Sequence, residues 1–421
     1  MKQERNIWLG AFSIAVFWLA ARTLMVMAWW KFGEFITSDV AYYFNSMQDP
    51  SGTALVEYPT PILWLMRMIH LISGDNFDLF FNLFVTLMVV LDALVTAYLF
   101  WRASPLAACY WIVFLALLGP ILWFRIDLIP AVCVTIGLVE LQRHPIFSGT
   151  MLALGAAAKL WPVLLILPLC GLGKSAQKRL ASFAVTGGTL AALSLLFDGW
   201  SRSISPIIWQ LQRGLQIESL SATWLMIKHA TTPMVVTVEM SPFNAYELYG
   251  AGVAKWQSVA SGLTVGAVVL VVVLTWLVAV VPNRYRLVSR AGRLKLSQAG
   301  LLAATAIIAS MIAANKTFSP QYLIWLAGPL GLILAWARTP QEKRKATVVS
   351  LLGLIIAGMT QLVFPVLYLG LLPNPVGELG VTSLLVARNV VMAALTITLA
   401  VLAIQAACQV LSDSQIRSRR Q

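Results

Sequence analysis

Apolar runs at or near the length of a bilayer crossing recur from one end of this chain to the other. Only 11% of its 421 residues are charged and 59% are hydrophobic, whereas a soluble domain carries about a quarter charged residues. The runs are continuous rather than alternating, which excludes an outer-membrane barrel. The expected fold is an all-α polytopic membrane protein. It is read as one transmembrane domain over 1–421, with no second domain, low-complexity linker or internal repeat.

The formal net charge of +13 would point a soluble protein toward nucleic acid. Here the basic residues gather in short loops between apolar runs, the positive-inside pattern, so membrane lipids and not nucleic acid are the expected surroundings. The pattern parses into about twelve spans: 7–29, 77–101, 105–122, 128–141, 147–158, 160–172, 180–197, 256–281, 297–313, 323–337, 347–364 and 383–410. Segments 147–158 and 160–172 are short, and predict either a re-entrant pair or two crossings of a thinned bilayer, with Lys159 at the apex. This parity places about 19 Lys and Arg against about 4 Asp and Glu inside, and about 10 against about 12 outside. Both termini then lie in the cytoplasm of a plasma-membrane protein. The first outer loop, 30–76, includes a short interfacial helix at about 61–73. The large outer loop covers 198–252. Loop 282–295, PNRYRLVSRAGRLK, is strongly inside. The first apolar run is too long for a signal peptide and is read as a retained span. Arg22 and Asp92 lie within spans, where each needs a partner, and they are candidates for one another. The four cysteines sit in apolar stretches without paired spacing, so neither a disulfide framework nor a zinc site is expected.

Loop charge alone sends every sharp polar island to the outer side. These are Asp39 with Tyr42, Glu57-Tyr58-Pro59, Arg125 with Asp127, Lys159 ahead of Trp161, Arg213 with Glu218, and Lys316 through Gln321 and Tyr322. Ionisable groups at membrane depth are costly and argue for a polar cavity. Carboxylates and several cations in a cavity open to lipid suit a phosphate-bearing lipid substrate: the cations hold the phosphate and a carboxylate takes a proton. Each island also has a plainer reading. Asp39 after Ser38 reads as a helix N-cap, Arg125 and Asp127 as an ion pair at a helix start, and Lys159 as a snorkelling side chain. Arg213 and Glu218 read equally as a solvated interfacial helix, and the tyrosines and tryptophans as interface anchors. His70, His144 and His229 are scattered and make no metal site. No Walker A, HExxH or GxSxG motif occurs, and no DxD pair stands in the outer loops. Neither metal nor cofactor is expected, and the sugar donor of any transferase here is not a nucleotide sugar.

SDVAYY at 38–43, EYP at 57–59, FRID at 124–127, GAAAKLWP at 155–162, RGLQIESL at 213–220 and NKTFSPQYLIWL at 315–326 occur in that order and span most of the chain. Taken together they resemble the C-type membrane glycosyltransferases, in particular family 87, the actinobacterial polyprenol-phosphate-sugar enzymes. The resemblance implies a C-type glycosyltransferase fold and an inverting transfer from a polyprenyl phosphate sugar to a hydroxyl of a cell-envelope glycolipid or lipid-linked glycan. Asp39 matches the first-loop aspartate that serves as general base. Arg125, Lys159, Lys316 and Arg213 are then the donor-phosphate residues. Tyr42, Glu57, Tyr58, Asp127, Trp161, Glu218, Gln321 and Tyr322 become the sugar and acceptor residues. The chain lacks the G-Q-x-N pattern and the histidine pair of some members, which leaves the sugar open between mannose, slightly favoured, and arabinofuranose carried on decaprenyl phosphate. A lipid transporter or flippase, and a ligase or polymerase using a diphosphate-linked donor, are the competing readings.

Overall fold

The computed structural model describes residues 2–49, 54–170, 173–280 and 290–418. Most of loop 282–295, Pro50 to Thr53 of the first outer loop, residues 171–172 and the final Arg419 and Arg420 lie outside the described residues. Among those described, seven helices are long and apolar enough to cross a membrane. They are the Trp8–Gly33 part of α1 (Lys2–Gln48), α3 (Phe77–Arg102), α8 (Lys174–Gln212), α10 (Val253–Thr275) with its continuation to Val280, α11 (Arg290–Ala314) from Lys295, α13 (Pro340–Gln361) with its continuation to Val366, and α14 (Leu379–Ser418) as far as Val410. Their outer faces carry exposed apolar side chains such as Phe12, Leu196 and Val265. That is a liability in water and the normal surface of a span in lipid.

The other expected crossings fall on shorter helices: α4 (Pro105–Leu118), α5 (Leu128–Val139), α6 (Pro145–Ala158), α7 (Val163–Leu169) and α12 (Ile324–Trp336). At about 1.5 Å per residue, none of these spans a hydrocarbon core of about 30 Å as a straight helix. Their starts are nonetheless well signalled. Ser104 accepts from the Ala107 N–H at 3.3 Å ahead of Pro105, and α6 opens on Pro145, the helix position where a missing N–H costs nothing.

The chain divides into two compact units. The first comprises Met1–Ile166, Leu172–Leu211 and Ile324–Ala346; the second comprises Leu167–Gly171, Gln212–Leu323 and Thr347–Gln421. In the first, α1, α3, α4 and α5 pack side by side, and α12 lies on α4 and α5. Gly328 permits that last contact, since a Cβ there would run into the Thr135 side chain. Arg22 and Asp92 do pair, through bonds of 2.6 and 2.7 Å, and Trp111 donates to the same carboxylate at 2.9 Å.

Two expectations about the outer loops need correction, and a third, the short helix at about 61–73, holds. The stretch after the first span is not a loop: α1 runs to Gln48, broken only at Phe32 (φ −122°, ψ 18°) beside Gly33. Asp39 and Tyr42 therefore sit inside a helix, and Asp39 is not an N-cap. The helix expected at about 61–73 is α2 (Thr60–Ser73). The region 198–252 is likewise largely ordered secondary structure. α8 continues through a break at Gly199 (φ 75°) to Gln212, α9 covers Thr223–Thr231, and β1 (Val236–Met240) and β2 (Tyr246–Gly250) form an antiparallel hairpin. The hairpin departs from a strictly all-α fold. It buries Val236, Val238 and Leu248 with Leu215, Leu225 and Leu371 in the core of the second unit.

Candidate functional site

In the first unit the end of α1, the 54–59 loop, the turn before α5 and the turn after α6 bring their polar groups into one cluster. Residues 120–124, PILWF, form a single 3-10 turn, fully buried, and deliver Arg125 in extended conformation. Arg125 Nε lies 2.8 Å from Asp39 Oδ2, without the alignment of a hydrogen bond, and Nη1 donates to the Ile36 and Phe124 carbonyls at 3.1 and 3.3 Å. Arg125 is buried, whereas the Asp39 side chain keeps 19% of its surface. The second pair has the opposite polarity. Asp127 is fully buried and accepts from Lys159 Nζ at 2.7 Å, while the Lys159 side chain keeps 20%. The FRID motif thus does not close on itself; Arg125 and Asp127 each pair elsewhere. Together the two pairs give the site one partly exposed carboxylate and one partly exposed ammonium, each fixed by a buried opposite charge.

Lys159 is extended at the C-cap of α6 (φ −157°, ψ 137°). Its ammonium lies over the rings of Tyr58 (5.7 Å) and Trp325 (5.3 Å). Trp325 also donates to Asp127 Oδ1 at 3.0 Å and stacks on Trp161, centroids 4.8 Å apart. Asp127 Oδ2 and Trp161 Nε1 are buried with no partner among the described residues. Tyr58 is the joint between the two halves. Its hydroxyl is 3.3 Å from that of Tyr43, and it lies within electrostatic reach of Asp127, Glu57 and Asp39. Tyr42 donates to Glu57 at 3.0 Å. Burial first, and the Glu57 charge second, hold the Tyr42 phenol well above its ordinary range, so it is a donor at neutral pH. Arg202 holds this loop from α8, donating to the carbonyls of Leu55 (2.9 Å) and Tyr58 (3.1 Å).

Arg213, Glu218, Lys316, Gln321 and Tyr322 belong to the second unit. Glu218 is not on a solvated helix. It is buried against Arg388, which donates to its carboxylate at 2.9 Å and lies 4.2 Å from the Phe318 ring centroid. Burial pushes the Glu218 carboxyl up to about 7 against the opposing pull of Arg388. Gln321 is half-buried and Tyr322 buried in the turn Pro320–Leu323. Arg213 and Lys316 are both half-buried and act electrostatically on Glu247, a buried carboxylate of β2.

Sequence reasoning missed Trp325, Arg202, Arg388 and Glu247. Trp325 stands inside the quoted stretch NKTFSPQYLIWL, but nothing in its spacing ties it to Asp127, 198 residues away. Glu247 reads as an ordinary polar position of a strand. Among the described residues no three His, Cys, Asp or Glu side chains gather as metal ligands would. Comparison with family models, with curated proteins and with solved structures found no match to this chain. The fold and site define a helical membrane protein with a charged, aromatic-walled cluster at the ends of its helices.

Proposed function

We propose that the chain is an inverting glycosyltransferase of the plasma membrane. It moves a sugar, mannose in preference to arabinofuranose, from a polyprenyl phosphate to a hydroxyl of an envelope glycolipid or lipid-linked glycan. The observation that carries this reading is the pair of ion pairs with reversed polarity, which presents the Asp39 carboxylate and the Lys159 ammonium from one aromatic-lined cluster. Asp39 takes the proton of the acceptor hydroxyl as its oxygen bonds to the anomeric carbon. The bond from that carbon to the phosphate oxygen breaks, and the lipid phosphate leaves with the electron pair. Lys159 meets the charge that develops on this leaving group. Arg125 is too enclosed to reach a donor freely, and its part is to fix the Asp39 carboxylate. Trp161 and Trp325, buried and stacked on one another, back the Lys159 ammonium, and Tyr42 with Glu57 offers a hydroxyl and a carboxylate to the edges of a sugar ring. The reading keeps about twelve passages of chain, with the short helices α4, α5, α6, α7 and α12 as partial or re-entrant ones. The site faces away from the cytoplasm and both termini face it.

The test is transfer by purified protein from radiolabelled polyprenyl phosphate mannose or arabinose to a lipid acceptor. Asp39→Asn should lower turnover by about 100-fold or more with folding intact. Full activity in that variant removes Asp39 as the base. A chain that moves the donor across vesicles without forming product is a transporter instead.

A further inference from the structure

Gly199 divides α8 into two parts. At about 1.5 Å per residue, the part from Lys174 to Gly199 reaches about 39 Å, enough for a hydrocarbon core of about 30 Å. The part from Trp200 to Leu211 has no crossing left to make. The backbone turns at Gly199 (φ 75°, ψ 175°), a conformation that favours glycine. Beyond the turn, Trp200, Ile204, Ile207, Ile208 and Leu211 follow the i, i+4, i+7, i+8, i+11 spacing of one helix face, an arc of about 100° with no charge on it. Ile207 and Ile208 are exposed, Trp200 at one end is 69% exposed and Leu211 at the other 73%. The opposite face is polar and grips its neighbours. Arg202 donates to the carbonyls of Ala54 (3.3 Å), Leu55 (2.9 Å) and Tyr58 (3.1 Å). It also donates to Ser205 Oγ at 3.0 Å, and Ser205 donates to the Val56 carbonyl at 2.8 Å. Pro206, on the same side, is buried. At the turn itself, Asp198 accepts from Trp64 Nε1 at 3.0 Å and from Arg67 at 3.3 Å, which ties α8 to α2.

We infer that residues 200–211 are a lipid-seated strap: their apolar arc sinks into the acyl region of one leaflet, and this seating holds the 54–59 loop, with Glu57 and Tyr58, in place at the candidate site. The occupant is lipid because the arc continues a lipid-facing surface. Leu195, Leu196 and Phe197, in the last turn of the span before Gly199, are exposed in the same way. A helix that leaves the core there meets acyl chains on its apolar side before it meets water. A tryptophan at the exit is the usual anchor at that depth. Arg202 faces the loop and not the arc, so the seat rests on apolar contact rather than on anionic headgroups. The inference goes beyond the transferase reading and does not need it, since a transporter with the same loop would use the same strap.

The decisive measurement is nitroxide accessibility in the full chain, with Cys408 replaced by serine, in liposomes of phosphatidylcholine and phosphatidylglycerol. A label at Ile207→Cys or Leu211→Cys should favour oxygen over a water-soluble nickel complex, present on both sides, by about tenfold relative to a label at Asp75→Cys in the α2–α3 turn. Hydrogen exchange of the 54–59 loop is then compared between the native chain and a chain with Ile207→Gln and Leu211→Gln. The Tyr58 amide, bonded to the Leu55 carbonyl at 2.9 Å, should exchange about tenfold faster in the glutamine chain. A chain with Ile207→Leu and Leu211→Ile keeps the arc apolar and should exchange at the native rate. Folding of each chain is checked by size exclusion and thermal unfolding, and Leu211→Gln alone serves if the pair does not fold. Nickel access at 207 and 211 equal to that at 75 overturns the seat. Dipolar broadening between labels at 207 would put a second copy on the arc and overturn the lipid assignment. Unchanged exchange of the loop in a folded glutamine chain overturns the strap.

Discussion

Asp127 shows what a single buried residue does in this chain. One of its oxygens receives both the Lys159 ammonium at 2.7 Å and the Trp325 indole at 3.0 Å, so it fixes a cation and an aromatic wall together. A carboxylate fully out of water is tolerable only with such partners. Asp127→Asn removes the countercharge, while Lys159 keeps enough exposure to find water. The loss should therefore appear more in the site than in the fold. We expect Asp127→Asn and Lys159→Met, singly and together, to give a coupling of about 1–3 kcal/mol in thermal or denaturant unfolding. A coupling near zero would mean that the pair does not hold the site. Such pairings were legible only in part. Arg22 and Asp92 could be matched from sequence because a charge inside a span has no water and few candidates. Arg125, Lys159 and Asp127 sit at helix ends and Asp39 in the polar part of α1 beyond its apolar span, where many partners compete and spacing along the chain decides nothing.

The helices divide by how much of them the sequence could announce. The long spans were legible because a continuous apolar run admits one structure in lipid. The helical course of residues 34–48 was not, because a helix leaving the bilayer is free to carry serine, aspartate and asparagine. The polar stretch SDVAYYFNSMQD therefore looks like a loop. Helices α4, α5 and α12 were legible as apolar segments but not as elements too short to cross. Their lengths make sense only from packing, since α12 is buried along most of its course by its neighbours. Gly328 is where that packing is tightest. Gly328→Ala should lower the stability of the detergent-solubilised protein by about 1–3 kcal/mol, the cost of overpacking a filled contact. Thr135→Ala in the same chain should return part of it, and an unchanged melting temperature for Gly328→Ala would show that α5 and α12 yield freely.

For the molecule as a whole, the distribution of charge is the property that orients it. The basic excess lies at places such as the start of α13, where Lys343, Arg344 and Lys345 follow one another, while the turn between α2 and α3 carries Asp75. If lysine and arginine are retained on the cytoplasmic side, these two places lie on opposite sides of the bilayer. Both residues are exposed, so each can carry a reporter without disturbing a core. Of the native cysteines, Cys408 is exposed and the other three are half-buried, so Cys408 must first be replaced. In intact cells a membrane-impermeant maleimide should label Asp75→Cys at once and Lys343→Cys only after permeabilisation. The reverse order would put the Asp39 end of α1 on the cytoplasmic side. It would remove the argument against a nucleotide-sugar donor, and with it the strongest constraint on what the site transfers. Equal labelling of both positions in intact cells would break the parity between them and require an even number of crossings over α3 to α12.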